Sequence, residues 1–184
     1  MIRTLLWLFG GVLLGGLIHL IVILMLPMLA SKDVWTKVTA LEARNKVVVL
    51  PAVLPGTPNP LHLDPGLAYA ICQVDLSQGP GVLTGTLPDG FWSLAVFTRA
   101  GIIAYSTTNR DGIGRIRDLG IFNAAQTRLL AEQQIDISEG LLIVEAPADD
   151  IFILVRFAPP HPTMRPRFET ALSQLACGNI QGAT

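Results

Sequence analysis

Hydrophobic and polar positions divide the chain into three stretches of different period. Residues 5–30 contain no Asp, Glu, Lys or Arg, so this run is apolar all round rather than amphipathic. About 26 residues at a rise of about 1.5 Å each would reach about 39 Å, more than a hydrocarbon core of about 30 Å. The run predicts a transmembrane anchor over residues 1–30, with length to spare for tilt. A cleaved signal peptide is the rival reading, but it carries an apolar region of only about 7–15 residues and small residues before the cut. Here Met28 stands where a small residue is wanted. Over residues 31–46 the period becomes helical: Val34, Val38 and Leu41 recur with Trp35 beside them, and Ser31 is a plausible cap. This predicts an amphipathic juxtamembrane helix whose Trp35 suits the headgroup layer.

Residues 47–184 read as a single β domain. A strand-like stretch at 47–54 runs into Pro51, Pro55, Pro58, Pro60 and Pro65, which exclude a helix and predict an extended connector over the domain surface. Strands follow at 67–76, 82–87, 91–98 and 102–106, separated by turn residues at 79–81, 88–90 and 99–101. Links this short predict antiparallel hairpins, and a parallel arrangement lacks intervening helices in this part of the chain. Residues 115–122 suggest a further strand, and Asn123 caps a helix running to about Gln134. Strands at 141–146 and 151–158 come next. The run Ile151, Phe152, Ile153, Leu154, Val155 is apolar on both faces, as a central strand would be. A short helix over 168–176 closes the domain. The fold class expected is mainly β: an N-terminal transmembrane helix, then an antiparallel β-sandwich or jelly-roll-like domain with two or three short helices.

Composition narrows the partners. Thirteen Lys and Arg against 14 Asp and Glu give a formal charge of −1, with no dense basic cluster to follow a phosphate backbone, so nucleic acid is not expected. About 150 residues beyond the anchor suit one sizeable core. Orientation signals conflict. Arg3 on a short amino terminus favours a cytoplasmic start and an exported body, while Lys32, Lys37, Arg44 and Lys46 on the other flank favour the reverse, although long folded domains translocate largely regardless of charge.

Candidate chemistry is sparse. Within the anchor, Gly11, Gly15 and His19 fall at four-residue spacing on one face, a candidate helix contact; glycine is also common in membrane helices, and His19 can bond locally. His62 and Asp64 alternate and, with His161, have the donor types of a metal site, but nothing in the sequence brings His161 near and Asp64 before Pro65 suits a turn. Asn109, Arg110 and Asp111 lie in the most polar loop, where an arginine beside an amide could grip a carboxylate or a sugar hydroxyl; turn chemistry explains the same residues. No catalytic triad or glycine-rich phosphate loop can be assembled, so no cofactor is expected. Cys72 and Cys177 make one disulfide or two buried thiols. The disulfide is the expectation, formed on the exported side, where it would staple the closing helix to the first long strand.

Asp64-Pro65, Tyr69-Ala70, Cys72, Asp75-Leu76 and Gly79-Pro80, followed by Trp92-Ser93-Leu94 and Asn109-Arg110, resemble the bacterial domain-of-unknown-function 1254 family, in particular its short membrane-anchored members. The likeness runs from the anchor to Leu175-Ala176-Cys177. It implies a bacterial inner membrane, no established catalytic residues, and a second subunit resembling the domain-of-unknown-function 1214 family, which longer members carry in the same chain. Two functions follow: a non-enzymatic envelope module pairing with another membrane-anchored β protein, or a ligand-binding or enzymatic domain using the loop around Arg110.

Overall fold

A computed structural model describes residues 1–29, 34–110, 118–133 and 141–180. Among the described residues, helix α1 (Ile2–Leu29) is followed by a short α2 (Val34–Thr39) and by nine strands in two sheets. The five-stranded sheet contains β1 (Val48–Val49), β2 (Ala68–Asp75), β4 (Phe91–Thr98), β5 (Ile103–Thr108) and β8 (Asp150–Ala158), in the order β1-β2-β8-β4-β5. The four-stranded sheet contains β3 (Gly81–Thr84), β6 (Asp118–Asn123), β7 (Leu141–Ala146) and β9 (Ala176–Asn179), in the order β7-β6-β3-β9. Helix α3 (Ala124–Gln133) joins β6 to β7, and α4 (Arg165–Ser173) precedes β9.

Side-chain alternation along the strands builds the core. Ala70, Cys72 and Val74 of β2 and Ile151, Ile153 and Phe157 of β8 meet Leu83, Leu119 and Ile121 of the other sheet in one buried cluster. The opposite residues of the same strands, Tyr69 and Ile71 on β2 and Phe152 and Leu154 on β8, belong to a second cluster with Val38 and Leu50. β8 is therefore covered on both faces and stands third of five in its sheet, as its uninterrupted apolar run predicts.

The cystine joins the two sheets. Cys72 on β2 is bonded to Cys177 on β9 across a sequence separation of 105, with Cα atoms 6.5 Å apart. The predicted pairing is present, but its setting differs: the closing helix ends at Ser173, and Cys177 lies on a short edge strand rather than at a helix end.

The all-antiparallel expectation also needs correction. β6 and β7 pair in parallel, Asp118 opposite Leu141 and Asn123 opposite Ala146, with α3 as the crossover that a parallel pair requires. Asn123 caps α3 as predicted: its Oδ1 accepts from the Gln126 N–H at 2.9 Å, and Gln126 Oε1 accepts from the Asn123 N–H at 2.9 Å. Of the three short links read as hairpin turns, only the one at 99–101 joins neighbouring strands, β4 and β5. The links before and after β3 carry the chain out of one sheet and back again. The expected cap Ser31, residues 115–117 of the expected strand, and Gln134 lie outside the described residues.

Gly90, in the link entering β4, has φ +144, and a Cβ there would come within 2.5 Å of Cζ of the fully buried Phe157. Backbone conformation and space both demand glycine. Gly90→Ala should lower the unfolding free energy by about 2–4 kcal/mol in urea titrations of the full chain, through strain and overpacking together.

Candidate functional site: an apolar groove outside the five-stranded sheet

Three elements cover the outer face of the five-stranded sheet, and each is held by identifiable bonds. Helix α2 is tied through the buried Gln73 of β2, whose Nε2 donates to Thr39 Oγ1 at 3.1 Å. Its backbone N–H donates to Ala43 O at 2.8 Å and its carbonyl accepts from Asn45 N at 2.9 Å. Val38 is thereby buried against the sheet, so α2 packs onto the domain as part of its covering. The turn at the end of β4 adds Arg99, whose guanidinium lies 5.7 Å from the Trp35 ring and 3.3 Å from Asp150 Oδ2.

The proline-rich connector is the third element. Asn59 clamps it: Nδ2 donates to Leu63 O and Oδ1 accepts from Leu63 N, each at 2.9 Å, the two bonds a neighbouring strand would make. Tyr69 Oη accepts from Asp64 N at 2.9 Å, Lys37 Nζ donates to Pro60 O at 2.8 Å, and Arg165 Nη1 donates to Pro65 O at 2.8 Å. Prolines lack an N–H, so side chains supplement the few backbone bonds that fix the path of this stretch.

Two adjoining open cavities of about 180 and 380 Å³ share Leu50, Leu61 and Leu63: the smaller lies between α2, the connector and the sheet, and the larger is lined by Leu41 and by residues between Leu50 and Leu63. The smaller is walled by Val34 and Val38 of α2 and floored by Ile71, Phe152 and Leu154, with Phe97 stacked on Phe152 at 4.9 Å between ring centres. All its lining residues are apolar apart from Gly101. Such a surface binds by excluding water; it offers nothing for proton transfer.

The predicted site residues lie elsewhere. Asn109 is built into the fold, with Nδ2 donating to Gly90 O at 2.9 Å and N to Trp92 O at 3.3 Å. Arg110 is exposed, its guanidinium 5.6 Å from the Phe91 ring. Asp111 lies outside the described residues. Gly11, Gly15 and His19 are all exposed on α1, and a Cβ added at either glycine would meet nothing within 4 Å. His62 is exposed at φ +52, while Asp64 Oδ1 accepts from Gly66 N at 2.7 Å and His161 Nδ1 accepts from Thr163 N, so Asp64 and His161 have local structural uses. Among the described residues, no group of three or more His, Cys, Asp or Glu is placed to hold a metal.

One carboxylate is electrostatically distinct. Asp75 accepts from Ser77 Oγ at 2.6 Å and Ser77 N at 3.0 Å, with Arg44 at 3.8 Å. The Ser77 hydroxyl has the largest influence, and with the Ser77 N–H and Arg44 it outweighs desolvation and holds the Asp75 carboxyl below the ordinary carboxylate range. This pins the turn after β2 and is structural.

No family model matches the chain, and no curated protein matches it. Its fold is similar to the crystal structure of the VPA0106 protein from Vibrio parahaemolyticus, with a TM-score of 0.52 at 9% identity, over 64% of this chain and 29% of that one. The chain thus matches less than a third of that protein's length, and the likeness is one of fold alone.

Two outcomes test these assignments. Asn59→Ala should cost about 1–2 kcal/mol by removing both clamps, and should speed hydrogen exchange at the Leu63 amide by at least about tenfold while the β8 amides keep their protection. The lowered Asp75 value means that this group stabilises the fold above its unfolded pKa, and that the contribution is lost as pH falls through the lower folded value. In Asp75→Asn the deficit in melting temperature relative to wild type should be full at neutral pH and shrink in acid.

Proposed function

We propose that this protein is a single-pass membrane-anchored module whose β domain, a two-layer sandwich, is exported and pairs with another membrane-anchored β protein. The observation that carries the proposal is α1 itself. Among the described residues it is the one helix long and apolar enough to cross a membrane, and every side chain from Met1 to Leu26 is exposed. So much apolar surface is not left to water, and the domain does not cover it. A signal sequence passes the same length and composition test, but the absence of a small residue at Met28 favours retention.

The disulfide supports export, since such bonds persist in oxidising compartments such as the bacterial periplasm. Pairing is supported by the Gly11 and Gly15 face, which lets another helix approach closely, with His19 one turn further on as a polar partner. The resemblance to the domain-of-unknown-function 1254 family adds a bacterial inner membrane and a partner of the 1214 type. An assembly role is favoured over catalysis because the cavity over the sheet is lined by apolar residues, whereas Asn109 already serves the fold.

A photo-crosslinking amino acid at Leu8, one turn before Gly11, should give one discrete heavier adduct in native membranes. Gly11→Leu with Gly15→Leu should abolish it without releasing the protein from the membrane. A chain that stays strictly monomeric, with no adduct and no co-purifying subunit, overturns the pairing. A chain recovered without α1 from the soluble fraction overturns the anchor.

A further inference from the structure

We infer that the groove outside the five-stranded sheet is a binding site for a phospholipid acyl chain, drawn from the same bilayer that holds α1. The inference rests on the membrane anchor proposed above. Position comes first. Five residue steps separate Leu29 from Val34, so the wall of the groove stays within about 18 Å of the end of α1 however the intervening chain runs. An open apolar groove at that height holds either water or hydrocarbon, and moving a chain from bilayer to groove keeps it out of water throughout.

The chemistry of the walls selects among occupants. The floor strands β2, β8 and β4 each have sheet neighbours on both sides, so an extended peptide laid on them would find no strand edge to pair with. Neither cavity, at about 180 and 380 Å³, admits more than about one turn of a helix about 10 Å across. A flexible alkyl chain needs neither hydrogen bonds nor such width. A cationic side chain stands at the edge of the smaller cavity. Arg99 is 65% exposed beside the groove residue Gly101 and uses Nη1 toward Asp150, leaving other guanidinium donors for a phosphate. Trp35, under that guanidinium, is the residue type favoured at the interface. An acyl chain between Val38, Leu61 and Phe152 with its phosphate toward Arg99 satisfies both parts.

The test uses the full chain in nanodiscs of phosphatidylethanolamine and phosphatidylglycerol, doped with phosphatidylglycerol that carries a diazirine at the end of one acyl chain. After irradiation, adducts are mapped by peptide mass. Label is expected in α1 and in the peptides holding Leu61 and Leu63 or Phe152 and Leu154. Leu154→Trp, which fills the groove, should cut the domain label at least fivefold and leave the α1 label unchanged. Leu63→Trp on the connector gives the same readout if Leu154→Trp fails to fold. Arg99→Gln should also lower domain labelling. Label confined to α1 overturns the groove while keeping the anchor. Label in neither overturns the anchor reading and the inference with it. Domain label that persists in both filled variants marks nonspecific contact and also overturns the inference.

Discussion

Burial of β8 on both faces is the constraint from which the rest of the domain follows. A strand reading Ile151 to Val155 without a polar residue cannot leave either face to water. One face is closed by the second sheet and the cystine that joins the sheets. Among the described residues, no third sheet covers the other. It is closed by α2, the connector and the turn at Arg99, a covering assembled from pieces too short to hold themselves and therefore fixed by Gln73, Asn59, Tyr69 and Lys37. Because that covering is pieced together, it does not close fully, and the groove is what remains.

Legibility in the sequence followed the strength of local patterns. The bounds of β4 and β7 and the cap of α3 could be read directly, because Phe91 to Thr98 and Leu141 to Ala146 are mostly aromatic or aliphatic and Asn123 has Gln126 three residues on. β9 was hidden: Ala176, Cys177, Gly178 and Asn179 carry no strand propensity, and pairing with β3 and the cystine impose the conformation. Short links at Gly79 and Gly90 looked like hairpins, since link length alone cannot tell a turn within a sheet from a corner between sheets. The parallel β6 and β7 pair was lost for a related reason, as α3 was read as an isolated helix and not as a crossover.

The groove was legible only in fragments. Val34 and Val38 showed the helical spacing, and the two-faced β8 implied a second cover. The missing piece was the connector. Its prolines marked it as surface, while Leu61 and Leu63, alternating within it, were the sign that one side of that surface faced inward. Side-chain clamps such as Asn59 onto Leu63 leave no periodicity to detect. The polar loop drew attention because Asn109 and Arg110 are chemically versatile, yet Asn109 closes a loop onto Gly90 and Arg110 rests on Phe91.

Anchor, cystine and groove form one account only if the β domain lies outside the cytoplasm. The most direct measurement is the redox state of Cys72 and Cys177 in intact cells: free thiols are trapped with an alkylating reagent, and the full chain is weighed before and after reduction. Export predicts no alkylation until reductant is added, then two modified cysteines. Two cysteines alkylated without reductant, in protein that is folded and membrane-bound, would contradict it and place the domain on the cytoplasmic side.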